Sequence, residues 1–175
     1  MIYFIRHGQT EWNVLGLMQG QTDIPLNDTG RAQAKQMAKS LQGVTFDKVF
    51  CSPLSRAIET CQAVVDASQI VTDKRIAERY FGEFEGESAM LMRSRKFWNT
   101  NVNQTFERAE SLFDFIARVY DFLDYLVQNC KDQNVLIVAH GGVGMVVQSY
   151  FFGKPTDGEY LTYLVDNCQV LKFNV

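Results

Sequence analysis

The sequence predicts an α/β fold, one mostly parallel sheet with helices on both faces. Three observations carry this expectation. Short apolar runs alternate along the chain with segments of helical period. One run, Asn134 to Ala139 (NVLIVA), is apolar almost throughout, as in a strand buried on both faces. With 175 residues and 46% hydrophobic side chains, the chain suits a single domain spanning 1–175, and no internal repeat or linker suggests a second.

Ile2 to Ile5 reads as the first strand and runs into Arg6-His7-Gly8. Val14 to Thr22 is a glycine-punctuated loop, and Asn27 or Asp28 then offers an N-cap. From Gly30 to Leu41 the apolar positions Ala34, Met37, Ala38 and Leu41 recur at helical spacing, with Gly43 as terminator. Lys48 to Cys51 is a second strand. Ser52-Pro53 opens a helix carrying Arg56, Ile58, Cys61, Val64 and Val65. Gln69 to Thr72 is a third strand, Arg75 to Gly86 a loop, and Ser88 to Thr105 a mixed segment. A long amphipathic helix is expected from Phe106 to about Cys130, its core stripe including Ala109, Leu112, Phe113, Ile116, Val119, Tyr120 and Leu123. The strand from Asn134 ends at His140-Gly141-Gly142, before a helix over Val143 to Phe152. Cys168 to Phe173 closes the chain as a last strand.

A net charge of −3 argues against a general nucleic-acid binder, which needs a basic footprint. Cys51, Cys61, Cys130 and Cys168 show no CxxC spacing and read as free thiols in a reducing compartment. No run approaches the roughly 18 apolar residues of a membrane span, and Arg6 interrupts any signal-like start. The expectation is a soluble, cytoplasmic protein.

His7 and His140 are the only histidines, and each follows an apolar strand and precedes a glycine. Strand carboxyl ends are where α/β sheets place ligands. Two histidines with no third ligand at metal spacing make a poor zinc site, so neither metal nor cofactor is expected. Arg6 and Arg56 add guanidiniums from two strand ends, a geometry suited to phosphate oxygens. Gly141 and Gly142 would open a helix whose N-terminus favours an anion. The residues alone therefore point to imidazole chemistry on an anion.

The blocks RHGQTEWN (6–13), PLNDTGRAQA (25–34), CSPLSRAIET (51–60), AERYFGEFEG (77–86) and AHGG (139–142) together resemble the histidine phosphatase superfamily, also called phosphoglycerate mutase-like. The resemblance implies a three-layer α/β/α sandwich. It also implies a metal-independent phosphatase acting on small-molecule phosphomonoesters, with His7 as the nucleophile that takes the phosphoryl group. By the same resemblance Arg6, Arg56 and His140 hold phosphate oxygens, Asn13 is a further donor, and Gln19 and Gly20 flank the substrate. Glu78 matches the acid that protonates the leaving oxygen, with Glu83 as the alternative.

The superfamily's cofactor-dependent mutases carry a larger insertion after the glutamate block and a C-terminal tail over the site. Here the chain stops with its last strand, and an open site would lose a phosphorylated intermediate to water, which favours phosphatase over mutase. A phospho-ligand binding protein without turnover is the third reading, but it would not need nucleophile and acid together. Ala109 replaces the glycine that commonly opens the long helix in the phosphatase branch. The short cap-like insertion from Glu87 to Thr105 is expected to set specificity. Arg79, and less strongly Arg93, Arg95 and Lys96, would bind a second anionic group, while Phe97 and Trp98 pack on an organic body. Phe115, Phe122 and Tyr125 share a second face of the long helix and suggest a homodimer surface, the alternative being burial under the 87–105 segment.

Overall fold

The computed structural model describes residues 1–174, and its five strands form one sheet. β1 (Ile2–Arg6), β2 (Lys48–Cys51), β3 (Ile70–Thr72) and β4 (Val135–Ala139) run parallel. β5 (Val170–Phe173) closes one edge antiparallel to β1, giving the order β3-β2-β4-β1-β5. The helices are α1 (Glu11–Val14), α2 (Asp28–Ser40), α3 (Ser55–Gln62), α4 (Met90–Ser94), α5 (Leu112–Asn129) and α6 (Gly141–Phe152).

β4 is the central strand, and all five of its residues are buried. Alternation along it makes two cores. Val135, Ile137 and Ala139 pack with Ile2, Phe4 and the apolar faces of α5 and α6. Leu136 and Val138 pack with Tyr3, Ile5, Met37 of α2 and Ala57 and Cys61 of α3. The result is the expected three-layer α/β/α sandwich. The four cysteines are free, and no helix among the described residues is long and apolar enough to cross a membrane.

Helix starts follow local hydrogen bonding. The Asn27 side chain accepts from the Gly30 amide at 2.8 Å and caps α2. Ser111 Oγ accepts from the Asp114 amide at 3.0 Å and caps α5. That cap starts the long helix later than its apolar periodicity suggests, and Phe106 lies outside it, stacked on Phe97 with ring centroids 4.2 Å apart. The buried arc also differs from the expected stripe. Phe113 is 48% exposed, whereas Phe115 and Phe122 are fully buried. Phe115 meets Trp98 edge-on and Phe122 meets Phe50 of β2, so the helix is covered on a second flank. A self-association surface built on Phe115 and Phe122 is thereby corrected; of the three aromatics only Tyr125, at 41%, is exposed.

The segment 87–105 contributes α4 and then turns inward. Phe97 and Trp98 are buried, and the Trp98 carbonyl accepts from the Tyr160 amide at 2.9 Å. Truncation of Phe122 to Ala should cost about 3–5 kcal/mol of stability, the usual range for a buried aromatic. Urea unfolding measures this, and a loss well under about 1 kcal/mol would contradict the packing described.

Candidate active site

Parallel pairing brings three strand ends to one edge. Arg6 lies opposite Ala139 and Cys51 opposite Val138, so His7, His140 and Ser52 emerge side by side. The ladder extends one step further: the His7 amide donates to the Ala139 carbonyl at 2.9 Å, and the Ser52 amide to Val138 at 3.0 Å. The two imidazole rings are 5.2 Å apart, tilted by 62°. Both are buried.

His7 Nδ1 is 2.7 Å from the Gly8 carbonyl oxygen. A carbonyl only accepts, so Nδ1 carries the hydrogen and the neutral ring keeps its lone pair on Nε2. Burial holds the His7 pKa well below the ordinary imidazole value, with Arg56 and then Arg6 reinforcing it against the Gly8 bond. His140 is shifted the same way by burial and then by Arg56, His7, Arg6 and Arg118. Its Nε2 bonds Ser52 Oγ at 2.7 Å, and its Nδ1 has no partner among the described residues.

Both guanidiniums are held by carbonyls. Arg6 Nη1 donates to Val165 O at 2.6 Å. Arg56, in the first turn of α3 and fully buried, donates from Nη1 to Thr22 O at 2.9 Å and from Nη2 to Gly20 O at 2.7 Å. Glu85 fastens that loop from below, accepting from the Gln21 and Thr22 amides at 2.9 and 2.8 Å. Neither Arg6 nor Arg56 forms an ion pair among the described residues, and each Nε is buried without a partner. Burial lowers the Arg56 pKa to about 10, opposed by Glu78, Asp23 and Glu85, which still leaves it charged at neutral pH. Two fixed cations with no ion-pair partner among the described residues, beside two neutral imidazoles, make an anion site.

Glu78 follows a short helical turn at Lys74–Ile76. Its Oε1 accepts from the Arg79 amide at 2.8 Å and its Oε2 from the Gly142 amide, at the start of α6, at 3.0 Å. Burial raises the carboxyl's pKa, against those two amides and the fields of Arg56 and Arg6. Its backbone is fixed by Arg118 of α5, which donates to the carbonyls of Arg75, Ala77 and Glu78 at 2.7, 2.8 and 3.0 Å. Glu110 grips Arg118 in turn at 2.6 and 2.9 Å.

These groups border a cavity of about 210 Å³ whose lining includes Arg6, His7, Arg56 and Glu78. Asn13, Gln19, Gly20 and Gly141 line it too. Asn13 Oδ1 is committed to the Thr10 amide at 3.1 Å. His140 stands outside the lining, against His7.

Arg79 requires correction. Its guanidinium turns away from the cavity, donating to the Glu110 carbonyl at 2.9 Å and to the Phe97 carbonyl, and lies 5.3 Å from the Trp98 ring. An arginine beside the acid in sequence is on the opposite side of the backbone from it in space. Glu83 sits exposed on the turn Gly82–Phe84, outside the lining. Arg93, Arg95 and Lys96 are exposed and outside it as well, and Phe97 packs in the core.

The sequence reading missed Ser52, Thr60, Arg118, Glu110 and Asn167. Ser52 had a signal, since it follows a strand as the histidines do. Thr60 lies one turn after Arg56, donating to its carbonyl at 2.7 Å and accepting from the Gly8 amide at 3.0 Å. Asn167 donates to the His7 carbonyl at 2.9 Å, a contact across 160 residues with no local signature.

The family model for the histidine phosphatase superfamily (branch 1) matches residues 2–175. The chain belongs to that superfamily. Similar proteins in it include the uncharacterized phosphatase PhoE of Bacillus subtilis, 34% identical over 142 residues, which are 80% of this chain and 71% of PhoE. A 2,3-bisphosphoglycerate-dependent phosphoglycerate mutase of Mesorhizobium japonicum is 33% identical over 155 residues, 80% of this chain and 75% of the mutase. The crystal structure of the α-ribazole phosphatase from Shigella flexneri superposes with a TM-score of 0.80 at 31% identity, covering 95% of this chain and 86% of that one.

Two predictions follow from the geometry of this superfamily member's site. The unfolded chain binds more protons than the folded one below the ordinary imidazole value of 6.5, because both histidines are held neutral. Stability is therefore lost as pH falls below that value, by up to about 1.4 kcal/mol per pH unit for each histidine. Urea unfolding between about pH 7.5 and about pH 5 should show a shallower loss in His140→Gln than in wild type, and equal slopes would refute this. A β-carbon on Gly142 would clash with Glu78 Oε1 and Trp98, whereas one on Gly141 meets Leu164 and Arg6 only at 3.4 and 3.5 Å. Gly142→Ala should cost about 1–3 kcal/mol in thermal unfolding while Gly141→Ala is tolerated.

Proposed function

We propose that this protein hydrolyses small-molecule phosphomonoesters, without a metal ion, through a phosphohistidine on His7. The carrying observation is one arrangement: a neutral imidazole with its lone pair on Nε2 stands beside two cations that form no ion pair among the described residues. Glu78, a carboxyl of raised pKa, borders the same cavity. The phosphatase relatives support phosphate-ester hydrolysis as the general activity.

In this reading the phosphate sits between Arg6 and Arg56, whose charges stabilise the oxygens of a loose transition state. The Asn13 carboxamide is a further donor; His140, behind His7 and outside the lining, can donate only through its unpartnered Nδ1, when Ser52 donates to its Nε2. Gln19, Gly20 and Gly141 flank the ester. The His7 Nε2 lone pair forms the N–P bond as the P–O bond to the alcohol breaks. The departing alkoxide takes the proton of the Glu78 carboxyl. Water then attacks phosphorus, yields its proton to the Glu78 carboxylate, and the N–P bond breaks to release phosphate and restore His7.

Under excess chelator, wild type should retain turnover while His7→Ala loses it. Glu78→Gln should lower kcat by roughly 10²–10⁴-fold on alkyl phosphates, the usual worth of a general acid. The wild-type kcat/KM should fall at low pH as His7 is protonated and at high pH as Glu78 ionises. The alkaline limb should vanish in Glu78→Gln. Quenched enzyme should carry acid-labile phosphate on His7. Loss of activity in chelator, or turnover by His7→Ala, would defeat the mechanism. Adding 2,3-bisphosphoglycerate with 3-phosphoglycerate separates this activity from a mutase by its product, inorganic phosphate rather than 2-phosphoglycerate.

A further inference from the structure

The charged groups of the cavity lie close enough to act on one another, Glu78 on both guanidiniums, and Arg6 and Arg56 are the only lysine or arginine side chains in its lining among the described residues. The rest of the wall is apolar, built from Trp12, Leu17, Met92, Trp98, Met145 and Leu161 among others. The Trp98 indole offers no donor to a ligand, because its Nε1–H is directed to Met92 Sδ at 3.3 Å. Besides Asn13, which the phosphatase reading assigns to phosphate, the uncharged polar side chain in the lining among the described residues is Gln19, 8% exposed, whose carboxamide oxygen is buried without a partner. At about 210 Å³ the cavity is smaller than the roughly 300–1,000 Å³ usual for drug-sized ligands.

We propose that the site takes phosphomonoesters of compact, apolar alcohols that carry no second anionic group, with Gln19 placed to accept one hydroxyl or N–H from the alcohol portion. The proposal rests on the phosphatase reading and names its substrate class. In that reading the phosphate takes up both guanidiniums, so a second anion on the same substrate would lie against aromatic, thioether and aliphatic surface. An unpaired anion is strongly disfavoured there. The cations that would have answered it are elsewhere: Arg79 is spent on two carbonyls behind the acid, and Arg93, Arg95 and Lys96 face solvent. An apolar body instead gains from every methylene it buries.

The test compares ethyl through hexyl phosphates and 2-phenylethyl phosphate with O-phosphoserine and 3-phosphoglycerate, all leaving as alcohols. For wild type, kcat/KM should rise roughly fourfold per methylene until the cavity is filled. 2-Phenylethyl phosphate should exceed the two carboxylated esters by on the order of tenfold or more. Calorimetric binding to His7→Ala should give the same ranking without turnover. Leu17→Arg, which places a cation on the half-buried wall, should shift the ranking toward the carboxylated esters. A flat alkyl series, or carboxylated esters bound and turned over best, would overturn the proposal while leaving the phosphatase reading standing. No turnover of any ester by wild type would overturn the phosphatase reading instead, and the affinities for His7→Ala would still judge the apolar subsite.

Discussion

Two guanidiniums and two imidazoles share one buried edge of the sheet, and four cations cannot coexist there. Arginine keeps its proton under conditions where histidine does not, so the arginines hold the charge and the imidazoles give it up. The state of His7 is therefore set by its neighbours as much as by its own hydrogen bond. The sheet enforces the arrangement through register. A slip of one residue between β1 and β4 would send Arg6 to the other face and separate His7 from His140.

Glu78 obeys the opposite logic in the same space. It is a carboxyl whose pKa is raised although two cations and two amides favour its ionised form, which shows how strongly burial acts here. Its position is over-determined: α6 holds the carboxyl through Gly142, and α5 holds the backbone through Arg118. These two helices pack on the same face of the sheet, so the core of that layer and the placement of the acid are one problem.

Elements whose signal is local were legible in the sequence. Strand runs, the Asn27 cap, and the strand-end positions of Arg6, His7 and His140 all depend on neighbours within a few residues. The errors were non-local. Apolar spacing marks a stripe on α5 but cannot report that Trp98 and Phe50 cover a second flank, so it leaves Phe115 and Phe122 between a partner surface and burial. Adjacency to Glu78 suggested that Arg79 meets substrate, yet the Glu110 and Phe97 carbonyls draw its guanidinium away into the aromatic cluster. Asn167 and Ser52 reach the histidines only once the sheet is assembled.

The carbonyl anchoring of Arg6 and Arg56 also bears on how a ligand arrives. Carboxylate partners would have extinguished the field of these cations at its source; carbonyls fix their position and leave the field intact. The molecule as a whole carries a net charge of −3, so a small anion meets general repulsion at long range and attraction only at one mouth. Low-dielectric walls around that mouth concentrate the attraction along its axis. The same anchoring that positions a bound anion thus selects the direction of its approach, and added salt weakens both the repulsion and the guidance.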